Sequence, residues 1–242
     1  METLFTGLRW IHVAAGFIGL AAFWVPILTR KGGSHHRWFG KVFKYCAYLV
    51  LGAAMLSVTL HMSQALSAGV GPNTEPNGFA FLVFLGYLAL VTFIGLRHGI
   101  LVLQHKPGLD GLDTPVNRLL ARAAIASSIL LIAYAVYFRP DIIIVLLALS
   151  PIGFSTGKGI LKAIGGQRPE SKAWFYEHMG SMIGTGIAFH TAFAVFGSRT
   201  LWNLGLEGWV AIIPWILPAL IGIPAVTLWT RHYMRKFGDL PA

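Results

Sequence analysis

Seven apolar runs, each close to the length of a membrane span, follow one another along this chain at residues 6–28, 42–66, 79–103, 117–138, 141–160, 176–197 and 209–230. At a helical rise of about 1.5 Å per residue, some 20 apolar residues cross a hydrocarbon core roughly 30 Å thick. Backbone polar groups in lipid must be satisfied internally, which leaves only helices or a closed barrel. None of the runs alternates apolar and polar residues, so a barrel is excluded. The expected fold is all-α, an integral membrane bundle of seven transmembrane helices in a single domain over 1–242. Charged residues make up 12% of the chain, about half the share in a soluble domain. That scarcity excludes a soluble enzyme, a DNA-binding domain, a secreted disulfide scaffold and a disordered chain. Cys46 is the one cysteine, so neither an internal disulfide nor a CxxC site is available.

The basic residues set the expected orientation. Arg30, Lys31, Arg37, Lys41 and Lys44 follow the first run, and Arg97, Lys106, Arg118 and Arg122 follow the third. Lys158, Lys162, Arg168 and Lys172 follow the fifth, and Arg231, Arg235 and Lys236 follow the seventh. Arg9, Arg139 and Arg199 alone fall on the other side. The positive-inside rule then predicts an external N-terminus and a cytoplasmic C-terminus. The net charge of +10 is therefore topological and suits anionic membrane lipids. It gives no case for a nucleic-acid partner.

The first run is expected to be a retained helix. Glu2 precedes it, its apolar stretch exceeds that of a signal peptide, and Arg30-Lys31 stops it. The fourth and fifth runs meet at Phe138-Arg139-Pro140-Asp141, where Pro140 suits the first turn of a new helix. One long kinked helix is the competing reading there. Trp10, Trp38, Trp174, Trp202 and Trp209 fall near span ends, as an interfacial belt requires. Three segments, Leu8-Arg9-Trp10-Ile11-His12-Val13-Ala14-Ala15-Gly16, His35-His36-Arg37-Trp38-Phe39-Gly40-Lys41-Val42, and His178-Met179-Gly180-Ser181-Met182 continuing to Thr191-Ala192-Phe193, carry a further signal. In them the chain resembles a family of uncharacterised bacterial membrane proteins filed as domain of unknown function 2306. The resemblance implies a multi-pass protein of the inner (plasma) membrane and names no reaction.

Nine histidines in so uncharged a chain are the chemical feature, because ionisable groups inside a membrane are costly and usually functional. Counting along the runs puts His12 and His190 roughly 20 Å above the cytoplasmic edge, and His61 nearer 28 Å. His35 and His36 in the first loop, with His98, His105, His178 and His232, form an inner layer. His12 shares a stripe with Gly16 and Gly19, His61 with Ala54, Ser57 and Ala65, and His190 with Gly186 and Gly197. Small residues at this spacing allow a close approach by a helix or a flat ligand.

Imidazoles in two layers suit b-type haem held by histidine pairs. His12, His61 and His190 are the outer candidates, and His36, His98 and His178 the inner ones. Arg37 and Arg97, with Arg118 and Arg122, could pair with haem propionates, although the positive-inside rule is the simpler and favoured account of them. His178 and His190 lie about 120° apart around an ideal helix, so a kink near Gly180, Gly184 or Gly186 is expected. Such a protein is a candidate membrane oxidoreductase, passing electrons from a quinol or another redox partner. Two alternatives stay open. His12, His61 and His190 together suit zinc or copper, and a cofactor-free small-solute carrier or accessory protein needs none of them. Glu177, Asp141 and Glu207 fall at span ends, so proton coupling through a carboxylate is not expected. Pro26, Pro151, Pro214, Pro218 and Pro224 are candidate helix breaks.

Overall fold

Apolar runs of this length fold as helices, and seven helical stretches are long and apolar enough to cross a membrane. They are Glu2–Leu28, Ser34–Ser67, Pro76–Gln104, Pro115–Phe138, Ile143–Ile164, Ala173–Gly197 and Gly208–Phe237. The computed structural model describes residues 2–106, 108–167, 170–197, 200 and 208–240, and no strand occurs among them. Arg168, Arg199, Trp202 and Glu207 lie outside the described residues. The helices are α1 (Glu2–Leu28), α2 (Ser34–Ser67), α3 (Pro76–Leu101), α4 (Pro115–Phe138), α5 (Ile143–Leu149), α6 (Pro151–Ile164), α7 (Ala173–Ala192) and α8 (Ile213–Phe237). They form two compact units, Met1–Phe93 with Tyr134–Ile143, and Ile94–Ala133 with Ile144–Ala242.

In the first unit α1 and α2 pack as an antiparallel hairpin. Phe23 meets Phe43 with ring centroids 5.4 Å apart, among buried Ala15, Ala22, Ala47 and Val50. The turn is sharp because Gly32 takes a left-handed φ of 75°, a conformation that only glycine adopts without strain. Helix C-termini leave carbonyls unsatisfied and attract cations. Lys31 meets both needs, donating to the carbonyls of Pro26 and Ile27 at 2.8 Å each. Burial there pushes its ammonium below the usual lysine range. The peptide N–H of Arg37 already donates to the Gly33 carbonyl, so α2 begins at Ser34 and not near 42. His35 and His36 therefore ride on the first turn of α2 rather than in a loop.

At the far end of this unit, Asn77 and Asp141 exchange hydrogen bonds. Asn77 Nδ2 donates to Asp141 Oδ2 at 2.8 Å, and the Asp141 N–H returns one to Asn77 Oδ1 at 2.9 Å. The start of α3 and the turn after α4 thus meet, as two intervening spans require. Arg139 there takes a φ of 47°, which ends α4 and makes the fourth and fifth spans separate helices. Left-handed backbone is unfavourable for a non-glycine residue, and here it turns the chain into Pro140.

The second unit packs through glycines. A Cβ on Gly157 would stand 2.3 Å from the Ala121 carbonyl oxygen, one on Gly99 2.4 Å from Ser181 Cβ, and one on Gly222 2.4 Å from Ile187. Lipid tails are as apolar as leucine, so helices in a bilayer associate through close packing, and small residues permit it. The fifth span is broken at Pro151, which has no N–H for the Leu147 carbonyl. The Ser150 hydroxyl donates to that carbonyl instead, at 2.9 Å. Pro218 and Pro224 leave α8 a single helix. Gly238, with a φ of 77°, closes it, and Asp239 then accepts from the Ser171 N–H at 2.9 Å and from the Tyr176 hydroxyl at 2.6 Å. The Tyr176 hydroxyl holds the Asp239 carboxyl below the usual carboxylate range, with the Ser171 N–H assisting.

Candidate functional site

Five of the six histidines proposed as ligands hold their rings in the same way. Nδ1 donates to a backbone carbonyl in His12 (Val50, 3.1 Å), His36 (Pro26, 3.2 Å), His61 (Ser57, 2.8 Å), His178 (Gly99, 2.7 Å) and His190 (Gly186, 2.7 Å). A carbonyl only accepts, so Nδ1 carries a proton in each of these five rings. For His61 and His190 the acceptor lies one turn back on the same helix, where the free geometry of an apolar helix provides it. For His12 and His178 it lies on a different helix, and the bond ties α1 to α2 and α3 to α7.

His12 and His61 are not brought to one level. His12 stands opposite Val50, whereas His61 packs on Phe5 with ring centroids 4.2 Å apart. Seven residues of α1 separate those two contacts, about 10 Å of helix rise. His61 is exposed, while His12, His36, His178 and His190 are half-buried. The helix from His178 to His190 is uninterrupted, so the kink expected at Gly180, Gly184 or Gly186 does not occur as a break. Irregularity comes later, as a π-helical turn over Phe193–Gly197. Among the described residues no group of three or more His, Cys, Asp or Glu side chains is placed to hold a metal ion.

The sixth histidine departs from the pattern. His98 is buried in the last turn of α3, and its Nε2 lies 3.1 Å from Glu177 Oε2, with side chains only 7% and 10% exposed. The next residue on each helix completes the crossing, Gly99 offering its carbonyl to His178 and its missing side chain to Ser181. Arg97, beside His98, donates to Asn117 Oδ1, and Asn117 Nδ2 donates in turn to the Leu112 carbonyl at 2.7 Å. Thr114 positions Asn117 by capping α4, its Oγ1 accepting the Asn117 N–H at 3.2 Å ahead of Pro115 at the first helical position.

The arginines divide in the same unit. Arg97 is engaged by Asn117, and Arg118 forms a two-pronged ion pair with Asp113, whose carboxyl it holds below the usual range. Arg122 is exposed in this unit, and Arg37 is exposed in the other. Glu177 and Asn117 were not legible as site residues. Glu177 reads as a span-end carboxylate, yet it is nine-tenths buried. The available signal was the pair of doublets Arg97-His98 and Glu177-His178, each set just inside an apolar run that needs no polar residue.

No protein-family model, curated protein or solved structure matches the chain.

Proposed function

We propose that the protein is a multi-pass electron carrier of a bacterial inner membrane, external at its N-terminus and cytoplasmic at its C-terminus, that holds haem b through neutral imidazoles. The observation behind this reading is the shared ring geometry of His12, His36, His178 and His190, each with Nδ1 on a carbonyl. Metal-ligating histidines characteristically give the second nitrogen to a carbonyl or carboxylate, which fixes the tautomer and leaves Nε2 to the metal. Space accompanies one of them, since a Cβ on Gly16, one turn beyond His12, would meet nothing within 4 Å. His61 is a reserve ligand. His98 is not one, because its Nε2 faces Glu177. Haem bound to these rings would supply one-electron chemistry, with a quinol or another redox partner as donor.

The chain's own residues would keep the rings neutral and aimed. An imidazolium in apolar surroundings is penalised by desolvation, and each carbonyl acceptor fixes the ring plane. An optical spectrum of the purified protein tests the reading. A Soret band with sharp α and β bands on reduction supports it. Colourless protein carrying stoichiometric zinc or copper overturns it in favour of a metal site. A reporter fused after Arg235 should read cytoplasmic and one inserted between Gly71 and Asn77 external; the same side for both refutes the orientation.

A further inference from the structure

The α1–α2 hairpin concentrates cations that nothing in its own sequence answers. Residues 3–74 contain no Asp or Glu, yet Arg30, Lys31, Arg37, Lys41 and Lys44 follow one another across the turn and the start of α2. Lys31 is turned to the carbonyls that end α1. Arg37 and Lys41 differ from it. Both are exposed, one turn apart on α2, and neither forms an ion pair among the described residues. Arg118 in the second unit shows the contrast, since Asp113 takes both prongs of its guanidinium.

The residues that follow these cations along the helix are ordered as the parts of a phospholipid are. Lys41, Tyr45, Leu49, Gly52 and Leu56 recur at three- and four-residue steps, within about 80° of one another around α2. All five are exposed. Trp38 and Tyr45, both exposed, stand beside and below the cations, as aromatic side chains do at the level of lipid headgroups. Lys44 adds a third cation at that level, its ammonium 4.1 Å from the Tyr45 ring centroid. From Tyr45 to Leu56 the helix rises about 16 Å, close to one leaflet's share of a core roughly 30 Å thick. A Cβ on Gly52 would meet nothing within 4 Å, so Leu49 and Leu56 flank a notch in the surface of α2.

We propose that this face of α2 binds one anionic phospholipid, its phosphate held by Arg37 and Lys41 and one acyl chain laid over Gly52 between Leu49 and Leu56. Both cations suit phosphate, arginine through paired hydrogen bonds and lysine as a point charge. A zwitterionic lipid brings its own cation to the same place, where Arg37 and Lys41 repel it. A free phosphate answers the cations and leaves the apolar notch empty. A second copy of the chain would set the same cations against each other. The site rests on the membrane-spanning fold and stands without the haem reading.

Native mass spectrometry of the full-length protein, released from detergent with added lipid, tests the site. Phosphatidylglycerol should stay bound as a single adduct, whereas phosphatidylcholine with the same chains and inorganic phosphate should not. Arg37→Gln with Lys41→Gln should weaken the adduct roughly 30-fold, the loss expected of two cations at headgroup level. Arg231→Gln with Arg235→Gln removes the same charge from the exposed end of α8 and should leave the adduct unchanged. Gly52→Leu keeps every charge, fills the notch and should weaken the adduct as well. Equal loss from the two charge-removing pairs overturns the proposal, because net charge alone would then hold the lipid. So does equal retention of both lipids, retention of inorganic phosphate in place of lipid, or a lipid-free dimer that Gly52→Leu disrupts. Should Arg37→Gln with Lys41→Gln fail to fold, Gly52→Leu decides, and an undiminished adduct there refutes the site.

Discussion

The α1–α2 hairpin and the α3–α7 crossing each contain a histidine bonded to a carbonyl of the opposite helix, yet they are built on opposite principles. In the hairpin, Gly16 and Gly52 face open space and His12 finds its acceptor in the backbone. In the crossing, Gly99 presses on Ser181 and a carboxyl side chain answers His98. Backbone carbonyls are fixed and uncharged, so they orient an imidazole without forming an ion pair. A buried carboxyl group orients the ring and depends on it in turn. The hairpin therefore leaves an aimed ring beside unfilled space, whereas the crossing gives a packed junction around a buried histidine–carboxyl pair.

The largest expected effect strikes the crossing. Glu177→Ala removes the partner of a buried ring, and breaking a buried pair of this kind costs about 3–5 kcal/mol. His12→Ala in the hairpin removes one hydrogen bond to a carbonyl, a loss of about 1–3 kcal/mol for a buried unsatisfied acceptor. Thermal or denaturant unfolding in a fixed detergent would rank the two, and equal losses would dissolve the distinction.

Alanine at the glycines sharpens the contrast further. Gly99→Ala must push Ser181 aside, at about 1–3 kcal/mol of overpacking. Gly16→Ala meets nothing and should gain about 0.5–1 kcal/mol from helix propensity. Opposite signs in one unfolding assay are the prediction. A destabilising Gly16→Ala would mean that its face is already closely packed.

A smaller effect belongs to the tail. Asp239 has its carboxyl lowered in the folded protein, chiefly by the Tyr176 hydroxyl. Its contribution is thus present above the unfolded carboxylate range and is lost as pH falls through the folded value. Limited proteolysis should find the tail opening in acid, and Asp239→Ala should open it at neutral pH. A tail equally protected at both pH values, or in both proteins, would remove the latch from the account.

How much of this was legible in the sequence follows from what each signal reports. Run length gives spans directly, so the run 117–138 became α4, Pro115–Phe138, and Pro140 marked a true break. The start of α2 was placed eight residues late, because hydropathy falls over Ser34-His35-His36-Arg37-Trp38 although helix geometry continues through it. Depth along a run places His12 and His61 on different levels, which the structure of the hairpin bears out. Partnership is what hydropathy omits. Glu177 reads as a span-end carboxylate because it opens a run, whereas in the fold it is nine-tenths buried beside His98 of a helix distant in sequence. Asn117, one residue among apolar neighbours, became part of the site through Arg97 in the same way.

The most direct test of the account is haem content per protein, measured from the reduced spectrum in His12→Ala, His178→Ala, His190→Ala and His98→Gln beside the unaltered chain. The account predicts that the three alanine variants lose haem, because each removes an Nε2 aimed by a carbonyl. His98→Gln should keep it, because that ring serves Glu177. Undiminished haem in all four variants, or its loss in His98→Gln alone, would contradict the division of the histidines into ligands and a ring held by Glu177.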